Sequence, residues 1–358
     1  MTASVFTHPF LGQLFGDEEI ASYFTAAADI EAMISFETAL AEAQAEFGLV
    51  ASPELEAIRA RTAAFAPDLA ALAEGTARDG VVVPSLLKQL RAGLSEAAAT
   101  ALHRGATSQD VIDASLAMRM QGVSLVLERR LAALTDAFTG WNLESGQRPV
   151  MAHTRMQAAK ETRFSRKLSS WTDPLVRCRL RREAIAPHAF ALRMGGAVGD
   201  RAGFGDRAGF GDKADQIANA VAARLGLYAA PASLHSERDG LTDLAGWFSL
   251  ITGALGKFGQ DAALALQSEV GELQLAGGGG SSAMPHKNNP VGAEILVTLA
   301  RYNATLVSGM HLALVHENER SGAAWSLEWM ILPQMAMAAA ASTRTAAALI
   351  GNLSLAKD

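Results

Sequence analysis

The strongest constraint on this chain is a set of long stretches with helical apolar spacing and very few strand signals. From Pro290 to about Glu319 the apolar residues Ile295, Leu299, Tyr302, Leu306 and Met310 recur at steps of three and four, which places them on one helix face. Similar patterns run from Ala28 to Phe47 (with Gly48 as a helix stop), Pro53 to Ala66, Pro84 to Leu94, Asp110 to Asn142, Met151 to about Ile185, and Asp239 to Leu275. Several of these exceed an ordinary globular helix, so an elongated bundle is expected. One copy would leave apolar surface uncovered, so other subunits are expected to complete it. The composition agrees: 49% hydrophobic residues but only 6% aromatic ones favour a large Ala- and Leu-rich helical core.

The formal net charge of −6 excludes a general nucleic-acid surface but not a local basic pocket for an anion. Cys178 is the one cysteine, so no disulfide forms within the chain, which fits a reducing cytoplasm. Asp17, Glu18 and Glu19 interrupt any leader-like opening. The apolar stretch from Trp329 is broken by Pro333 and Gln334 and is too short to span a bilayer. The expectation is a cytoplasmic protein without membrane or nucleic-acid partners. Residues 199–213, GDRAGFGDRAGFGDK, repeat a hexapeptide in tandem; the phosphate-loop pattern is missing, and a lengthened surface loop explains it.

Three polar islands interrupt the apolar pattern: HRGATSQD at 103–110, AHTRMQ at 152–157 and SSAMPHKNNPVGAE at 281–294. In the third, Pro290 suits a first helical position and Asn289 an N-cap. Helix starting does not explain Lys287, a cation at the positive end of a helix dipole. An ammonium and free backbone N–H groups there make a site for a carboxylate that gains charge during reaction. Ser281 and Ser282 follow a glycine run, and a serine in such positive potential can act as a base toward a C–H bond. Thr107 or Ser108 fits an N-cap, but that leaves the rest of HRGATSQD unexplained. His153 sits in a polar setting with Arg155, Lys160 and Arg163 near in sequence. His311 and His316 are the wrong distance apart for a zinc pair, no HExxH is present, and no metal or other cofactor is expected.

With these residues in hand, the chain resembles the fumarase/aspartase superfamily. The signature SSxMPxKxN is matched by Ser281, Ser282, Met284, Pro285, Lys287 and Asn289, and the other two family regions by Thr107–Asp110 and by His153, Thr154 and Gln157. Within the superfamily it is similar to the lactonising branch, the cycloisomerases of 3-substituted cis,cis-muconates. Support comes from VVVPSLLKQL, SLHSERDG, GALGKFGQDAALALQSEVGEL and HENERSGAAWSLEWMILP. Adenylosuccinate lyases usually carry a His-Asp pair upstream, where this chain reads DGVVVPS.

The resemblance implies an all-α fold: a small N-terminal helical domain (1–100), a central long-helix bundle (101–350), and a third C-terminal domain absent or truncated. It implies a homotetramer whose active sites each combine three chains, acting on a small anionic di- or tricarboxylate. Ser281, His153, Lys287 and Glu294 are the implied catalytic residues, with Glu294 pairing His153. Asn289, Ser282, Met284, Thr107, Ser108, Gln109, Thr154, Gln157, His235 and Arg320 are the implied substrate contacts. The implied reaction lactonises 3-carboxy-cis,cis-muconate in aromatic degradation. A 3-sulfo substrate and a fumarate-releasing lyase of the adenylosuccinate type are the alternatives. Asn288 stands where relatives frequently carry Arg, which leaves the third anionic group of the substrate open.

Overall fold

The computed structural model describes residues 4–204, 212–280, 282–284 and 287–356. Among these, α1 (Gly12–Phe15) and α2 (Glu18–Ala21) open the chain and are followed by a 3-10 turn, Ser22–Phe24. Then come α3 (Ala26–Glu46), α4 (Ser52–Ala63), α5 (Leu69–Asp79), α6 (Val83–Arg91) and α7 (Glu96–Ala101). The long helices are α8 (Ser108–Ser145), α9 (Phe164–Ala189), α11 (Asp239–Ala265), α12 (Val291–Leu312) and α13 (Ala323–Asn352), with α10 (Asp212–Leu225) between α9 and α11. At 1.5 Å per residue the 38 residues of α8 extend about 57 Å. The all-α bundle expected from the sequence is the fold found.

Side-chain caps explain several of the helix starts. Thr25 and Asp68 accept the N–H groups of Ala28 and Ala71, and Gly48 and Gly80 take the left-handed conformation just past α3 and α5. The tightest packing is α11 on α12. A Cβ on Gly256 would lie 2.4 Å from the Ala300 Cβ, and one on Gly259 2.6 Å from the Ala293 oxygen, so glycine lets the two helices approach. Helix α13 packs on α8, α11 and α12, and residues 335–343 are all buried. Its Met- and Ala-rich stretch is therefore bundle centre, as a helix apolar on all sides should be. Helix α3 packs on α8 and α10, and one apolar core runs from Ile20 to Leu355.

Three helix boundaries differ from the sequence reading. Residues 151–163, expected in a helix, form a hairpin of β1 (Pro149–Thr154) and β2 (Gln157–Arg163). The turn residues Arg155 and Met156 have φ of 50° and 65°, the conformation of a tight two-residue hairpin turn. The hairpin is mostly exposed, so it needs no alternating apolar pattern, and Arg-Met is not a recognisable turn dipeptide. Helix α11 stops at Ala265, and β3 (Leu273–Leu275) pairs antiparallel with β4 (Leu353–Leu355). Helix α12 ends at Leu312, well short of Glu319.

His103 ties α3 to the turn before α8. Its Nδ1 lies 2.7 Å from Glu37 Oε1, and the Glu37 side chain is wholly buried. Burial disfavours the imidazolium, but the Glu37 carboxylate outweighs it and raises the His103 pKa. A raised pKa contributes stability below the unfolded value, which is lost as pH rises through the folded one. The His103→Gln variant should therefore be less stable than the parent by about 1–3 kcal/mol below about pH 6.5, with the gap shrinking as pH rises. Urea midpoints at pH 6 and pH 9 test this; a gap independent of pH would contradict it.

Candidate active site

The first polar island is the N-terminus of α8. Asp110 is completely buried, and its carboxylate accepts the N–H groups of Thr107 (2.8 Å), Gly195 (2.6 Å) and Gly196 (3.1 and 3.2 Å). His235 Nε2 lies 2.8 Å from Asp110 Oδ1. The Gln109 amide donates to the His235 carbonyl (2.9 Å) and accepts from Arg320 Nε (2.8 Å). Gln109 and His235 are thus held inside the chain, whereas Thr107 and Ser108 are half-buried and Arg320 is exposed. The Nδ1 of His235 is buried too, with no hydrogen-bond partner among the described residues.

Beneath this island lies a charged cluster that sequence reasoning missed. Arg238, with a fully buried side chain, donates to Asp113 at 2.6 and 3.2 Å and to Glu328 at 2.8 and 2.5 Å. Trp325 Nε1 also donates to Asp113 (3.0 Å). Burial pushes the Asp113 carboxyl up, but Arg238 outweighs it and holds Asp113 below the usual range. The same carboxylates raise Arg238 against its own burial. Arg193, buried nearby, is pushed down to about 10 by burial and then by Arg238, and it donates to the His188 carbonyl at 2.8 Å. SERDG does contain Arg238, but its partners lie 125 and 90 residues away, so no local pattern marked the cluster.

The second island is the hairpin. His153, Thr154 and Gln157 are exposed, with Thr154 and Gln157 paired across the turn. His153 and Thr154 line a cavity of about 620 Å³ between the hairpin, the start of α9 and the end of α11. Its floor includes Trp171, which donates from Nε1 to Asp261 (2.7 Å).

The third island is a loop closed at its base. Gly279 and Asn289 exchange backbone hydrogen bonds of 2.9 and 2.8 Å. Asn288 donates from Nδ2 to the Leu275 carbonyl (2.9 Å), so close to Gly278 that a Cβ there would fall 1.9 Å from the Asn288 Oδ1. Asn289 does not cap α12 as expected: Pro290 occupies the N-cap, and Asn289 is engaged in closing the loop. Ser282, Met284 and Lys287 are exposed, and Glu294 is exposed in the first turn of α12. Ser281, Pro285 and His286 lie outside the described residues.

The hairpin that carries His153 and the helix start that carries Glu294 are on different elements. Among the described residues no hydrogen bond or ion pair links His153 to Glu294, and Glu294 does not line the His153 cavity. Among the described residues no group of His, Cys, Asp and Glu could hold a metal ion, and no helix is long and apolar enough to cross a membrane.

A long-helix bundle with an SSxMPxKxN loop at a helix start defines the class: a lyase of the fumarase/aspartase superfamily. Residues 13–303 match the profile of the Lyase family, and the chain belongs to it. It is 34% identical over 348 residues to a 3-carboxy-cis,cis-muconate cycloisomerase of Pseudomonas putida, covering 95% of this chain and 79% of that one. A nitrosuccinate lyase of Streptomyces davaonensis is 31% identical over 340 residues, 93% of this chain and 72% of its own. Among solved structures, the 3-carboxy-cis,cis-muconate lactonizing enzyme of Pseudomonas putida superposes with a TM-score of 0.88 at 32% identity, over 98% of this chain and 78% of that one.

Proposed function

We propose that this chain lactonises 3-carboxy-cis,cis-muconate. The observation that carries the site is Lys287, an exposed cation on a loop whose base is tied to the start of α12 by the Gly279–Asn289 pair. The substrate assignment rests on the similarity to the Pseudomonas putida cycloisomerase. In the reaction an oxygen of one terminal carboxylate bonds to the γ-carbon of the diene. The electron pair moves onto the carbon beside the other terminal carboxylate, which becomes a transient dianion, and that carbon takes a proton. Lys287, Asn289 and the α12 N-terminus would hold the dianion, the largest expected contribution to rate. Ser281 or His153 delivers the proton, and holding the substrate folded contributes through proximity.

The lack of a contact between His153 and Glu294 among the described residues supports a site assembled from several copies, with Glu294 of one chain orienting His153 of another in a homotetramer. The second reading is an elimination, favoured by the similarity to a nitrosuccinate lyase. Incubation with 3-carboxy-cis,cis-muconate decides between them. Loss of diene absorbance with uptake of a proton per turnover is expected. Release of fumarate from succinyl adducts, or of nitrite from nitrosuccinate, with the muconate untouched, would replace lactonisation by elimination.

A further inference from the structure

The cavity that holds His153 contains more cationic groups than its own acids neutralise. Lys167 is ion-paired with Glu272, and Lys257 with Asp261, and all four line the cavity. Asp261 is further engaged by the Trp171 N–H. Arg166 and His153 line the same space without a hydrogen bond or ion pair among the described residues. Arg166 stands in the first turn of α9, which contains no acidic residue, so the positive end of the helix dipole adds to its charge. At about 620 Å³ the cavity is within the usual range for a small-molecule site. On the loop, Asn288 brings no charge, and its amide is committed to the Leu275 carbonyl.

We infer that Arg166 is a specificity-determining residue whose guanidinium binds the substituent carboxylate of a tricarboxylate substrate in the cavity it shares with His153. The inference rests on the proposed lactonisation for its substrate class. A guanidinium fork matches a carboxylate in two parallel hydrogen bonds, and a lysine in its place would keep the charge but lose the fork. The two terminal carboxylates are common to every muconate, so Arg166 should distinguish carboxylated from plain muconate without contributing to the shared chemistry.

Calorimetric titration with two saturated, unreactive analogues tests this on the full chain. Butane-1,2,4-tricarboxylate has the carbon skeleton of 3-carboxymuconate, and adipate that of plain muconate. The parent should bind the tricarboxylate at least about tenfold tighter. Arg166→Gln should weaken the tricarboxylate by about ten- to a hundredfold and leave adipate and the melting temperature unchanged, with Arg166→Lys in between. Equal losses for both ligands, no loss for either, or no binding of the tricarboxylate by the parent would overturn the inference. The proposed function is separable. If the parent lactonises no muconate yet the Arg166-dependent preference holds, the reaction assignment fails and the site stands. If muconate is lactonised and Arg166→Gln changes neither ligand selectively, the inference alone fails.

Discussion

Replacing Lys287 with methionine is expected to lower kcat/KM for 3-carboxy-cis,cis-muconate by about two to three powers of ten, the effect of removing a donor aimed at developing charge. The melting temperature should hardly move. Lys287 is exposed, and its backbone N–H donates to the Met284 carbonyl, a bond that the substitution keeps. A cation at the N-terminal end of α12 is electrostatically unfavourable by itself, and a bound anion would offset that cost. Steady-state kinetics beside a thermal melt tests this. A variant within tenfold of the parent would remove Lys287 from the site. A variant that is slow only because it melts early would assign Lys287 a folding role instead.

Arg238→Met should cause the largest loss of stability, about 3–5 kcal/mol, because it strands two carboxylates in the core. Asp113 and Glu328 are both buried, Arg238 is ion-paired with each of them, and His316 Nε2 also lies 3.4 Å from Glu328. Without it their ionised forms are penalised and both should take up protons. The deficit should then be smaller at pH 5 than at pH 8, because protonation relieves the stranded charge. Urea unfolding at the two pH values measures it. Replacing Arg238, Asp113 and Glu328 together with apolar residues should recover much of the loss, since no unpaired charge remains. A single variant as stable as the parent would mean that water reaches the cluster after the substitution.

The two effects separate sharply in where they could be read. Lys287 was legible in the sequence because a whole string of residue types, SSAMPHKNNP, lies contiguous around it. Arg238, Asp113 and Glu328 were not, since a charged triad whose members sit on three distant segments looks like three ordinary surface charges. Gln109 and His235 fall between: the resemblance named them as substrate contacts, and the structure adds that the Gln109 amide donates to the His235 carbonyl and that the His235 ring bonds to Asp110. Gln109 accepts from Arg320, and His235 bonds to Asp110 at the α8 N-terminus. Arg166 had no sequence signal, since a basic residue early in a helix is unremarkable until its neighbours are seen to be paired off.

The sequence by itself determined the bundle and the family. Three- and four-residue apolar periodicity dictates long helices, and the residue string of the loop is too specific to arise from helix starting alone. Tertiary structure decided the hairpin at His153, the stop of α11 at Ala265 and the loop closure by Asn289. In each case the deciding interactions are backbone pairings between segments, Met151 with Glu161, Leu273 with Leu355 and Gly279 with Asn289. Such pairings depend on which segments the packed helices bring together, and side-chain periodicity within one segment contains no record of its partner.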